Sequence, residues 1–339
     1  MRTPVTIRDV ARLAEVHPGT VSRALNEQTR TLVNEETAAR VLRAADELGY
    51  RPNPIARGLK TNRSQTIGVL VPDLMNPLFA AIVRGIEDRL SPAGYTLLIT
   101  NTDNDLERER SEFQAMRARQ VDGFITATAQ RDHRLITEVV GEDAKVVLVN
   151  RSVDDNALPA VTVDDRAGAR LAVEHLIDLG HRRIAHLAGP RDVSTGFRRH
   201  QGFVETMRER GLEVDPELVL FSDGFIEPEG VRVCRELLAR GAEFTAIVAG
   251  NDLMALGCYD ALAEHGVRCP DDVSVVGFND MPFADRFQPA LTTVRIPHYE
   301  IGAAGADLML ALLRGQDVLP QEILLAPELV VRASSAPPA

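Results

Sequence analysis

Over the first fifty residues, apolar positions recur at helical spacing. Ile7, Val10, Ala11 and Ala14 stand at i, i+3, i+4 and i+7 behind Thr6, which is placed to cap them. Glu15-Val16-His17 interrupts this first helix. Pro18 suits the opening turn of a second, where its missing N–H is not needed, and Val21, Ala24 and Leu25 supply the buried side. A polar loop runs from Asn26 to Val33. Asn34 then caps a third helix with Glu35 and Glu36 in its first turn, the stripe Ala38, Val41, Leu42, Ala45 and Leu48, and Gly49 at the C′ position. Residues 1–50 read as a trihelical unit.

Residues 51–63 hold two prolines, one glycine and four cations, with too few apolar groups to bury. They read as a linker; a helix from about Pro54 to Lys60 would need a partner to order it, because helices this short are marginal alone in water. From residue 66 the rhythm changes. Apolar runs at 66–71, 96–100, 123–127, 145–149 and 160–163, then 183–187, 246–249, 273–278 and 292–296, alternate with amphipathic stretches. Continuous Val/Ile/Leu runs suit strands buried on both faces, and the stretches between them suit crossover helices of a parallel sheet. The pattern spans about 260 residues, more than one such sheet needs, so residues 64–339 are expected to form two doubly wound α/β lobes with a ligand cleft between them.

Composition sharpens this picture at one point. The chain has 339 residues and a net charge of -11, which by itself argues against a polyanionic partner. Residues 1–63, however, carry eleven Arg/Lys against seven Asp/Glu, a surplus of +4, while the remainder carries 27 against 42, a deficit of -15. A small basic head on a large acidic body is the asymmetry expected when one end meets nucleic acid. Cys234, Cys258 and Cys269 have no Cys-x-x-Cys spacing, which argues against a disulfide framework or a zinc site and fits a reducing cytoplasm. The N-terminus has no secretory apolar segment, and no apolar run reaches membrane-spanning length. Phosphate-cradling glycine loops, nucleophile elbows and zinc-protease motifs are missing, so no catalytic residue, metal or cofactor is expected. This speaks against a sugar kinase or dehydrogenase, as the lack of an export signal speaks against a transport module. The many carboxylates on the helices read as a solvated face, and Ser334 to Ala339 carry no heptad that would add a tetramerising coil.

The segment from Val5 to Asn26, VTIRDVARLAEVHPGTVSRALN, resembles the helix-turn-helix of the LacI/GalR family of bacterial transcription regulators. So do Leu48-Gly-Tyr-Arg-Pro-Asn53, Ala56-Arg-Gly-Leu59, Asp73-Leu-Met-Asn-Pro-Leu-Phe79, Leu179-Gly-His-Arg-Arg-Ile184, Gly250-Asn-Asp252 and Val275-Val-Gly-Phe-Asn-Asp280, in family order across nearly the whole chain. The resemblance implies a DNA-binding head at 1–50, a hinge helix at 51–63, and a core at 64–339 similar to periplasmic sugar-binding proteins. It further implies a homodimer on a near-palindromic operator, a repressor in the cytoplasm at the nucleoid, and control by a small-molecule effector, a sugar or sugar derivative.

Site residues carry over one at a time. In such a head the second helix enters the major groove with its N-terminal side chains at the base edges. Those positions hold Pro18 and Gly19, which lack directed side-chain hydrogen bonds where relatives carry long polar or aromatic groups, so base reading falls on Arg23 and on DNA shape. Thr20 and Ser22 are phosphate donors, and Thr6 is both cap and phosphate contact. His17 stands where serine is common. In the hinge, Leu59 matches the leucine that wedges into the minor groove, with Asn53 and Arg57 beside it. In the core, Phe79, Asn150, Arg199, Phe225, Asn251 and Asn279 match effector-binding positions; Asn150 and Asn279 place amides where carboxylates are expected, which weighs against a cationic effector.

Overall fold

The computed structural model describes residues 5–26, 29–51, 63–132, 135–136, 138, 141, 144–155 and 157–338. The chain divides into two compact units, Met1–Ser64 and Gln65–Ala339. In the first, α1 (Ile7–Leu13), α2 (Pro18–Leu25) and α3 (Glu35–Glu47) close around Val10, Ala14, Val21, Ala24 and Val41, all without solvent exposure. Arginines complete the helix ends: Arg40 Nε donates to the Ala14 carbonyl at 2.9 Å and Arg30 Nε to the Ala24 carbonyl at 3.0 Å, satisfying groups a helix leaves orphaned. Gly49 takes the left-handed C′ conformation (φ 63°) that the sequence reserves for it. One stripe position differs from expectation. Leu42 is exposed and Ala44 is buried in its place, because the inward face runs through 38, 41, 44 and 45.

The second unit holds two six-stranded sheets. One is built from β1 (Thr66–Val71), β2 (Thr96–Asn101), β3 (Gly123–Thr126), β4 (Val146–Val149), β5 (Ala160–Val163) and β11 (Glu322–Leu325), in the order β11-β5-β4-β3-β1-β2. The other contains β6 (Ile184–Ala188), β7 (Val219–Phe221), β8 (Ala246–Ala249), β9 (Ser274–Asn279), β10 (Thr292–Arg295) and β12 (Glu328–Val330), in the order β12-β10-β9-β8-β6-β7. Every pairing is parallel except β10 with β12. The nine apolar runs each become a strand. The three strands that the sequence pattern does not reveal, β7, β11 and β12, are three or four residues long and lie at sheet edges, where half-burial blurs the apolar signal.

Helices α4 (Pro77–Leu90), α5 (Leu106–Ala118) and α10 (His298–Leu313) cover the first sheet; α6 (Asp165–Asp178), α7 (Ser194–Glu209), α8 (Glu227–Ala239) and α9 (Asp252–Glu264) cover the second. The lobes are not consecutive in sequence. The chain crosses from first to second between β5 and α6, returns between β10 and α10, and crosses again between β11 and β12. The residues after 330 dock on the second lobe: Ser334, fully buried, donates Oγ to the Val275 carbonyl at 2.6 Å and accepts the Thr292 N–H at 2.8 Å.

The returning α10 seats against α4 through facing glycines. A Cβ at Gly302 would stand 1.9 Å from the Ile82 carbonyl oxygen, and one at Gly85 2.1 Å from that of Tyr299, so these helices touch backbone to backbone. Gly302→Ala must push the helices apart. We expect a loss of about 1–3 kcal/mol, the usual cost of overpacking, read as a lower urea midpoint with an unchanged m-value. Wild-type stability would show that the helices separate freely.

Candidate nucleic-acid interface and effector cleft

On α2, the side chain of His17 caps the helix: its Nδ1 accepts the Gly19 N–H at 3.1 Å, leaving Nε2 to carry the ring proton. The imidazole fills the capping position at which a serine is expected, and it explains Gly19. A Cβ there would stand 3.1 Å from His17 Nδ1 and would crowd the cap. Val21 and Ala24 face the core, Pro18, Gly19 and Thr20 are half-buried, and Ser22 and Arg23 are exposed. Arg23 Nη2 lies 4.0 Å from where a Gly19 Cβ would be, so the guanidinium reaches back over the first turn. Thr6 stands at the N-cap of α1, but its hydroxyl donates to the Asp9 carboxylate at 2.7 Å and its N–H to the same oxygen at 2.9 Å. These bonds hold the Asp9 carboxyl below its ordinary range and occupy the hydroxyl proton expected for a phosphate. Asn53, Arg57 and Leu59 lie outside the described residues.

In the second unit, Phe79, Asn150, Arg199, Phe225, Asn251 and Asn279 all line one cavity of about 150 Å3 between the lobes. Arg199, on α7, is buried. Its Nε donates to Asp165 Oδ1 and its Nη1 to the Gly250 carbonyl, both at 2.8 Å, and its guanidinium carbon lies 3.7 Å from the Phe278 ring centroid. Burial raises the Asp165 carboxyl to about 6 even though Arg199 pulls it down. Asn150 follows β4 and Asn279 ends β9, with φ of 66° and 117°, positive values that asparagine adopts more readily than most residues. Both are buried, and the Oδ1 of each has no hydrogen-bond partner within the chain. Asn251 is committed to architecture: Oδ1 caps α9 through the Met254 N–H at 2.8 Å, and Nδ2 holds the Phe225 carbonyl at 3.1 Å. It steadies the segment that carries the Phe225 wall.

Sequence reasoning misses Glu109, Thr128 and Arg151, which line the same cavity. Glu109 corrects the reading of the helical carboxylates as a solvated face, since it is only 2% exposed. The signal was present: Glu109, Phe113 and Met116 stand at i, i+4 and i+7 on the inward side of α5. Desolvation raises its carboxyl to about 7, against a hydrogen bond from the Thr128 hydroxyl and the pull of Arg151. Arg151 is buried too, donates Nη1 to Asn104 Oδ1 at 3.1 Å, and is pushed down to about 10 by desolvation.

Two family models cover this chain. Residues 6–53 match the bacterial regulatory proteins of the lacI family, and residues 64–324 match the periplasmic binding proteins and sugar binding domain of the LacI family. The chain belongs to the LacI family. The transcriptional regulator RegA of Clostridium saccharobutylicum is 38% identical to this LacI-family regulator over 97% of this chain and 99% of its own. The ribose operon repressor of Halalkalibacterium halodurans is 36% identical over 97% of each. Among solved structures, the lac repressor dimer bound to operator and the anti-inducer ONPF superposes with a TM-score of 0.88 at 29% identity, over 98% of this chain and all of that one. This protein is a DNA-binding transcriptional regulator with an effector-binding core of periplasmic-binding-protein type. Among the described residues, no helix is long and apolar enough to cross a membrane.

The titration of Glu109 gives a signed expectation. Its folded value of about 7 lies above the 4.5 of an ordinary glutamate, so the native state holds a proton that the unfolded chain releases between those values. That contribution to stability is complete below pH 4.5 and lost as pH rises through 7. Glu109→Gln, which keeps the shape of the protonated acid, should therefore be more stable than wild type at pH 8, by about 3 kcal/mol, and no more stable at pH 4.5. Thermal melts of both proteins across this range check it; parallel curves would place an ionised Glu109 in the cleft.

Proposed function

We propose that this regulator is a cytoplasmic, nucleoid-associated repressor that binds a near-palindromic operator as a homodimer. The head at 1–50 reads the half-site, the segment 51–63 is the hinge, and the core at 64–339 senses an uncharged sugar without transforming it. The observation that carries the effector reading is the pair Asn150 and Asn279: the two asparagines, one from each lobe, line one cavity, and the buried amide oxygen of each has no partner within the chain, which suits the hydroxyl protons of a sugar. Phe79 and Phe225 give it apolar walls, and Arg199 gives a guanidinium held in place by Asp165. An amide at both positions favours a neutral polyol over a cation. The name of the ribose operon repressor, a relative across 97% of the chain, supports the same class.

Control of DNA binding follows from linkage. A molecule gripped by both lobes stabilises one lobe arrangement over another and alters operator affinity only by its differential affinity for the two, for which a coupling of about 1–3 kcal/mol suffices. In the hinge, Leu59 is the minor-groove wedge that makes the specific site worth bending, flanked by Asn53 and Arg57. On the recognition helix, Arg23 reads a guanine, while Thr20 and Ser22 hold phosphates.

Selection of bound duplexes from a random library, repeated with neutral monosaccharides present, tests the proposal. A palindromic consensus whose recovery changes with one sugar supports it; recovery without sequence preference would end it. Arg23→Ala should weaken binding to the selected operator by about 1–3 kcal/mol and hardly affect random duplex, measured as competition by fluorescence anisotropy at fixed salt. Asn279→Gly keeps the backbone conformation and removes the amide. It should raise the Kd for the effective sugar by about tenfold in calorimetric titration, the order expected when a hydrogen bond in a buried site is lost; unchanged affinity would remove Asn279 from the site.

A further inference from the structure

Arg131 lies in the loop after β3, in the first lobe, and does not line the cavity, yet it makes three contacts with the second lobe. Its N–H donates to the Asp192 carbonyl at 2.8 Å. Its Nη1 donates to the Arg191 carbonyl at 3.3 Å. Its guanidinium carbon sits 3.4 Å from the centroid of the Phe197 ring on α7. Asp154, in its own lobe, aims the group: Nε and Nη2 fork onto the carboxylate at 3.1 and 2.7 Å, and the Asp154 N–H returns to the Arg131 carbonyl at 3.1 Å. A planar, doubly held guanidinium loses little freedom when it stacks on a ring across a gap.

The segment it grips matters as much as the grip. Residues 190–195 contribute Pro190, Asp192, Val193 and Thr195 to the cavity wall, and they are rigidly joined to α7, since a Cβ at Gly196 would stand 2.0 Å from the Pro190 carbonyl oxygen. Moving the lobes apart must therefore break the Arg131 contacts and carry that wall away together. The lobes also meet where Arg198, on α7, forks onto Glu322, on β11, and where the Ser152 N–H, in the first lobe, donates to Ser194 Oγ, in the second, at 3.0 Å; the Ser152 amide reports the same motion.

We propose that Arg131 is a positioning residue of the effector cleft, a latch that favours the closed arrangement of the lobes and thereby sets how much of the protein is competent to hold an effector. The effector clause rests on reading the cleft as the sensing site; the latch itself does not. Because apparent affinity scales with the competent fraction, the latch tunes sensitivity without touching the ligand.

Hydrogen–deuterium exchange on the full-length, effector-free protein tests it. The Ser152 amide exchanges when the lobes part, whereas the Ala127 amide, bonded to the Leu70 carbonyl at 2.9 Å, and the Val275 amide, bonded to the Ser334 carbonyl at 2.8 Å, each report on a single lobe. Arg131→Ala should speed exchange at Ser152 about tenfold, the order that a half-buried cation–π contact and the hydrogen bond lost with it are worth, and leave Ala127 and Val275 unchanged. Phe197→Leu, which removes the ring from the other side, should do the same and serves if Arg131→Ala does not fold. Arg131→Lys, which keeps the charge without the fork, should fall between. Unchanged exchange at Ser152, or acceleration shared by Ala127 and Val275, would overturn the latch. No effector enters this experiment, so its failure would leave the sensing role of the cleft standing.

Discussion

A guanidinium taken out of water must keep its hydrogen bonds and meet an opposite charge, and Arg199 imposes that demand at the middle of the core. Asp165, the Gly250 carbonyl and the Phe278 ring meet it from three different elements of one lobe. Breaking such a pair from one side strands the other charge, at a cost of about 3–5 kcal/mol. The same arginine that faces the cavity therefore also fastens α6, the first residue run after the chain enters the second lobe, to α7 and to the end of β8. The cavity lining and the frame of the lobe thus share this residue, and any change of cleft binding on replacing Arg199 has to be separated from a loss of structure.

The cleft above it is a charged environment of unusual balance. Arg151 and Arg199 approach from opposite lobes, and each has a carboxylate, Glu109 or Asp165, whose proton affinity burial has raised. The rim adds the half-buried Asp73 and the exposed Asp192 and Asp223. Such a site offers strong hydrogen-bond donors with little net attraction for anions, which agrees with the two amides at Asn150 and Asn279 in favouring a polar, uncharged guest. In the head the logic is reversed. There His17 caps the helix, Gly19 makes room for it, and the Arg23 guanidinium lies over the first turn.

Much of the molecule was legible from local pattern. Helical spacing gave α1 to α3 with the caps of α1 and α3 but not the His17 cap of α2, continuous apolar runs gave nine of the twelve described strands, and the match of motifs to the family gave the six cavity residues. Leu42 and the three edge strands were misread or missed because burial at an edge is decided by what packs beside it. Glu109 was missed for the opposite reason: a carboxylate on a helix is discounted as solvated unless its neighbours at i+4 and i+7 are weighed with it.

The residue sequence alone determined that there is a basic three-helix head and a large α/β body, since periodicity, capping and charge are properties of neighbours along the chain. Tertiary structure alone decided that the lobes are interwoven by three crossings, that Asn251 holds Phe225 in place, and that Arg131 spans the gap to Phe197. The reason is physical. These features join residues from 26 to more than 60 positions apart, and their energies depend on burial and distance in the folded state, which no short window of sequence contains.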